Sequence, residues 1–271
     1  MRAIISLYGV IIIAGVPPLA ASEIREEYNY PGGVVDILLA RKSDILPQVK
    51  YGTREPIVIQ QLDYWRVLIG VSLDTLPGEY VLYVKEPESE LPAYSVQFDV
   101  NQKTYPVLEL ASVKQPRNIH YDSTTDLDFS NTEQPELPLM LPAQGQWANF
   151  FGHVVVYPDQ DPDSSEVIVQ NYVSLTTTEL ATVTAPQNAI VSRVLVEQEP
   201  PGLATVFLDH GRGLYSIISG LADLSVEKGN GVVAGAVIGK LPVSQDTPAE
   251  LIWQCVINGV YINPLVMTQI E

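Results

Sequence analysis

Apolar residues in this chain arrive in short runs, and nearly every run is closed within a few positions by Gly, Pro or Asn-Gly. Proline removes a backbone donor and glycine carries the largest entropy cost in a helix interior, so a chain punctuated this often cannot build long helices. Short strands joined by turns remain. With 21 prolines and 18 glycines in 271 residues, the punctuation extends over the whole length. Apolar residues make up 46% of the chain, enough to bury a core and to argue against general disorder.

The runs fall into two groups. Residues 34–39, 57–59, 65–71, 80–84 and 94–100 form the first, and the last two alternate apolar with polar, the pattern of half-buried antiparallel strands. Leu76-Pro77-Gly78-Glu79 marks a turn between residues 71 and 80. Five strands in one block predict a small β-sandwich over residues 29–110. Residues 111–140 lose apolar periodicity between Pro116, Pro135 and Pro138, and read as an extended linker. Strands resume in 141–271, at 154–157, 166–173, 189–196, 204–208, 213–218, 236–239 and 250–257, and Asn258-Gly259 predicts a hairpin after the last. The expected fold class is all-β.

The N-terminus carries Arg2, an apolar stretch over residues 3–16, the breakers Pro17 and Pro18, and small residues at Leu19-Ala20-Ala21-Ser22. The stretch is shorter than the roughly 20 residues a membrane span needs. It predicts a secretory signal peptide over residues 1–22, and a mature protein that is periplasmic or secreted with no stable membrane anchor. A formal net charge of −17 opposes nucleic-acid binding. The single Cys255 lies among Leu251, Ile252, Trp253, Val256 and Ile257, as a buried hydrophobe would. Residues 159–166 carry carboxylates at calcium-loop spacing, but Ser164 replaces the glycine at the sixth position, and a solvated acidic loop is the expected reading.

Several motifs in order resemble the LytM-type core of zinc peptidase family M23: Asp209-His210-Gly211, Val226 and Gly229 before Gly235 and Ile238-Gly239, Asn258-Gly259 through Asn263-Pro264, Ala185-Pro186, and Gly145 with Phe151-Gly152. The resemblance covers residues 141–271. The N-terminal half is similar to the small β domain that precedes some M23 domains, through Pro31-Gly32-Gly33, Trp65 and Leu76-Pro77-Gly78-Glu79-Tyr80. The resemblance implies cleavage of peptidoglycan peptides with one zinc held by two histidines and an aspartate, the fourth position being open to water.

Carried over position by position, the resemblance places the H-x-x-x-D pair at Gln170 and Ser174, the H-x-H pair at Glu250 and Ile252, and a further histidine at Gly220. All of them depart from the family. Ile252 has no lone pair, and an amide and a hydroxyl are weak zinc ligands. The chain has three histidines, His120, His153 and His210. His210 sits in the D-H-G turn, a shaping position in the family; His153, after the Phe151-Gly152 turn, is expected to be an exposed loop histidine, with lining of the degenerate groove as the alternative. The expectation is a non-catalytic envelope protein with no metal or cofactor, binding peptidoglycan peptides or regulating a cell-wall hydrolase. The alternatives are an active zinc metallopeptidase with a rebuilt site, and a structural spacer in an exported complex.

Overall fold

The computed structural model describes residues 22–87, 93–109, 124–157, 166–178, 181–198, 202–242 and 248–270. Most of the signal-peptide segment, His120 and most of the acidic loop at 159–166 lie outside the described residues.

The N-terminal part holds two antiparallel sheets. The first runs in the order β1 (Ser22–Arg25), β2 (Val34–Ala40), β5 (Tyr64–Gly70), β4 (Ile57–Gln60). The second runs β3 (Gln48–Lys50), β6 (Gly78–Lys85), β7 (Tyr94–Val100). Between them lies a core of Val35, Ile37, Leu39, Val67, Leu82, Val84, Val96 and Phe98, so the predicted sandwich is present. β7 alternates as its sequence does, with Val96, Phe98 and Val100 buried and Ser95, Gln97 and Asp99 exposed. β1 and β3 were not legible, because neither carries an apolar run long enough to show a period.

The near-continuous apolar run in β2 has a different cause. Its strand, like β5, is covered on both sides, the situation that removes alternation from a sequence. Val34, Ile57, Ile59 and Leu68 face away from the sandwich into a second core, shared with Ile257, Val260 and Ile262 near the C-terminus. A side chain at Gly70 would meet Ile257, Ile262 and Val260 at 3.1–3.3 Å, so backbone and neighbouring strands are closely packed at that junction. The two halves of the chain therefore share buried apolar surface.

The C-terminal part is built on an eight-stranded antiparallel sheet. Its order is β18 (Gly231–Val232), β14 (Ala189–Val196), β15 (Ala204–Gly211), β16 (Leu214–Leu221), β20 (Ala249–Ile257), β12 (Val173–Thr177), β9 (Gln146–Asn149), with β21 (Val260–Ile262) paired to β20. The β20–β21 hairpin turns at Asn258 and Gly259, whose φ values of 45° and 82° fit the two-residue turn that Asn-Gly favours. A small sheet of β13 (Thr182–Thr184), β19 (Val237–Lys240) and β17 (Asp223–Leu224) contributes Val183, Ile238 and Leu224 to the core over one face of the large sheet. A third small sheet joins β8 (Val107–Glu109), β10 (Val154–Tyr157) and β11 (Glu166–Val169), with β8 parallel to β10. The chain ends in a one-turn helix, α1 (Pro264–Met267), whose first turn is capped by the Asn263 side chain accepting from Leu265 N.

The described part of the proline-marked segment, residues 124–141, has no strand of its own yet is fixed to the C-terminal part. Arg212 N donates to Asn131 O, Leu139 N to Met267 O and Met140 N to Pro186 O, at 2.8–2.9 Å. Leu127 packs on Phe207, Tyr215, Ile217 and Val256, and the Tyr215 hydroxyl donates to Asp128 O. These hydrogen bonds satisfy backbone groups that have no sheet partner.

Candidate functional site

One face of the large sheet carries the core. The opposite face carries a cross-strand row running Thr205, Ser219, Ile252, Ser174, Asn149 over five adjacent strands. Strand pairing thus brings Ser174 and Ile252 directly opposite each other, and Glu250 one step along β20 opposite Thr176. Gln170 precedes β12 and joins them through a side chain that sequence reading did not single out.

That side chain is Asn149. Its Nδ2 donates to Ser174 Oγ at 2.9 Å and to Glu250 Oε1 at 3.0 Å, and its Oδ1 accepts from Gln170 Nε2 at 3.1 Å. Gln170 Nε2 also reaches Tyr172 Oη at 3.3 Å. Gln170, Ser174 and Ile252 are buried, and Glu250 is half-buried. In a low-dielectric setting an amide that satisfies three neighbours holds them against rearrangement, since each lost bond leaves a buried polar group unpaired. Asn149 is the last residue of β9, a four-residue strand with no period of its own, so no sequence signal marked it. Gln170 Oε1 is buried without a hydrogen-bond partner among the described residues.

Gly220 closes the same site from β16. Ala204 pairs with Leu221 and Thr205 with Ser219, which leaves Gly220 as the extra residue of a β-bulge. Its φ is +98°, and a Cβ there would fall well inside van der Waals contact with the Glu250 carbonyl oxygen. The position where the resemblance expects a histidine is therefore one where the backbone admits no side chain.

His153 borders the cluster by its backbone, its carbonyl accepting from Gln170 N at 2.9 Å. Its ring packs on Phe150 with centroids 5.4 Å apart, and Phe150 packs on Trp147 at 6.0 Å. Partial burial lowers the His153 pKa, which favours the neutral ring.

His210 lies on the core side, away from this cluster. Its Nδ1 faces Asn188 O and its Nε2 faces Ser216 Oγ, each at 2.9 Å. A carbonyl can only accept, so Nδ1 carries the proton and Nε2 accepts from Ser216. Burial pushes the pKa down to about 4. Burial also pushes the neighbouring Cys255 thiol well above its usual range, leaving no thiolate for chemistry. Between about pH 4 and the ordinary histidine value near 6.5, the unfolded chain binds a proton that the folded chain refuses. Stability is therefore expected to fall as pH drops through that window, by up to about 3 kcal/mol from this residue, and to stop falling on its account below it. Urea unfolding at pH 7 and pH 4.5, compared with His210→Gln, checks this: the variant should lose most of the difference between the two pH values.

A zinc site needs imidazole, thiolate or carboxylate ligands around one point. Here the cluster offers one carboxylate, two amides, two hydroxyls, a hydrocarbon side chain and a glycine. Among the described residues no three His, Cys, Asp or Glu side chains are grouped to hold a metal. The residues present do not fit zinc.

The Asp209-His210-Gly211 corner and the Asn258-Gly259 hairpin, two of the features that resemble a LytM-type core, both lie in the large sheet. Residues 170–264 match peptidase family M23, so the C-terminal part of the chain carries an M23 domain. A crystal structure of a Pseudomonas aeruginosa protein assigned to peptidase M23 superimposes with a TM-score of 0.62 at 20% identity, over 89% of this chain and 95% of that one. The likeness extends through the N-terminal sandwich and establishes the fold. Two further structures overlap more loosely. Helicobacter pylori Csd3 gives a TM-score of 0.41 at 12% identity, over 88% of this chain and 75% of that one. A zinc-containing peptidase from Vibrio cholerae gives 0.37 at 17%, over 48% and 40%. No curated protein matches the chain.

Proposed function

We propose that this chain is a non-catalytic M23-type protein of the cell envelope, whose degenerate site serves binding: of peptidoglycan peptides, or of a cell-wall hydrolase that it regulates. The observation that carries the reading is the network around Asn149, in which three of the side chains standing at ligand positions, Gln170, Ser174 and Glu250, hydrogen-bond through one amide. Without a metal there is no activated water and no polarised carbonyl. Nothing at Gly220 or Ile252 replaces either role. Export to the envelope belongs to the same proposal and rests on the N-terminal segment; among the described residues no helix is long and apolar enough to cross a membrane.

Purified protein dialysed against zinc and then against buffer is expected to retain far less than one zinc per chain by elemental mass spectrometry, and to release no peptides from sacculi. Stoichiometric zinc together with digestion would overturn the non-catalytic reading. For the binding role, the protein is expected to sediment with sacculi or to recover a wall hydrolase from envelope extract. Failure of both would leave the spacer alternative standing instead.

A further inference from the structure

A cavity of about 540 Å³, lined by none of the residues of the Asn149 cluster, opens between the β4–β5 hairpin and the extended segment at residues 134–137. Gln60, Gln61, Tyr64 and Arg66 form one wall, and Gln134 and Glu136 the other. One bond ties the walls together, Gln60 N donating to Gln134 Oε1 at 2.9 Å. The size suits a small organic ligand.

The chemistry of the lining narrows the ligand class. Arg66 is 4% exposed, and it pairs with the buried Asp36 through Nε at 3.0 Å and Nη2 at 2.6 Å. Its charge is thereby answered, while Nη1 has no partner among the described residues and remains a donor at the cavity wall. The side-chain amides of Gln60 and Gln61, the Gln134 amide nitrogen and the Tyr64 hydroxyl likewise have no hydrogen-bond partner among the described residues. They supply donors and acceptors in mixture. An anion is opposed by Glu136 and by the net charge of −17, and a cation would find a single carboxylate, Glu136, among amide and hydroxyl groups, because the Arg66 charge is balanced by Asp36. An apolar molecule would strand these polar groups without partners.

We propose that this cavity is a carbohydrate site, taking one or two uncharged sugar rings whose hydroxyl and amide groups hydrogen-bond to Gln60, Gln61, Gln134 and Arg66 Nη1, with the Tyr64 ring beside them. The site is built from both halves of the chain, so an occupied cavity clamps residues 59–66 to residues 134–137. It is independent of the Asn149 cluster, and the two readings stand or fall separately.

The test uses the purified full chain, with chitobiose and maltose as neutral probes, and citrate and spermidine as charged ones. Calorimetric titration is expected to show saturable binding of a neutral disaccharide and none of the charged probes. Gln61→Ala with Tyr64→Phe is expected to weaken that binding at least tenfold. Hydrogen exchange provides a second readout that does not depend on the variant folding: the disaccharide should slow exchange at residues 59–66 and 134–137 in the unmodified protein. The proposal is overturned if neither disaccharide binds, if a charged probe binds there instead, or if binding survives the double substitution with exchange at both segments unchanged.

Discussion

Replacing Gly220 with alanine is expected to cost about 3 kcal/mol of folding stability, the range for a side chain forced into a left-handed backbone position against fixed neighbours. Two independent facts require this. The residue has φ +98° inside a β-bulge, and its Cβ would collide with the Glu250 carbonyl oxygen, which belongs to β20 at the centre of the sheet. Backbone in a central strand cannot step aside as the end of a long side chain can. For a chain of this size the loss corresponds to roughly 6–12 °C in Tm. Gly220→His, the change that would restore the family's histidine, is expected to be at least as damaging and to bind no zinc. A Gly220→His protein that melts with the unsubstituted chain and takes up zinc would show that the bulge can be remodelled and that loss of the metal site is superficial.

Arg66→Met is expected to destabilise the chain by about 3 kcal/mol, since it leaves Asp36 as a carboxylate inside the first sheet without its bidentate partner. The side chains of Asp36 and Arg66 are 5% and 4% exposed. Arg25 lies 3.7 Å from Asp36, but its side chain is 43% exposed, and a solvated contact at that length compensates only in part. Asp36→Leu combined with Arg66→Met removes both charges and is expected to recover to within about 1 kcal/mol of the starting stability. Urea denaturation of the two single variants and the double closes the cycle. If the single Arg66→Met change proves neutral, water or Arg25 satisfies Asp36 fully and the pair is not buried in the energetic sense.

Much of the β architecture was legible because it is local. Alternation in β7, the Pro-Gly-Gly opening of β2 and the Asn-Gly turn after β20 are each set by a few adjacent residues. Strands such as β9, β13, β17 and β18 were not legible, since runs of two to four residues carry no measurable period and exist because a neighbour pairs with them. Gln170, Ser174, Gly220, Glu250 and Ile252 were found by motif order alone, and the structure does bring them to one place. Asn149 was missed because its importance lies in reaching three residues that are 21 to 101 positions away.

The order of residues is enough to establish an all-β chain whose motifs follow the M23 order, with imidazoles missing where that order expects them. Residue identity settles such matters, because a hydrocarbon or a glycine cannot ligate whatever surrounds it. The folded arrangement set what occupies the site in their place, an amide-centred network with a bulge that excludes any side chain at 220. It also decided that Val34, Ile57, Ile59 and Leu68 pack with the C-terminal strands, and that Asp36 meets Arg66. Those outcomes depend on contacts between residues far apart in the chain, and their energies come from burial and exclusion of water, which no local pattern records.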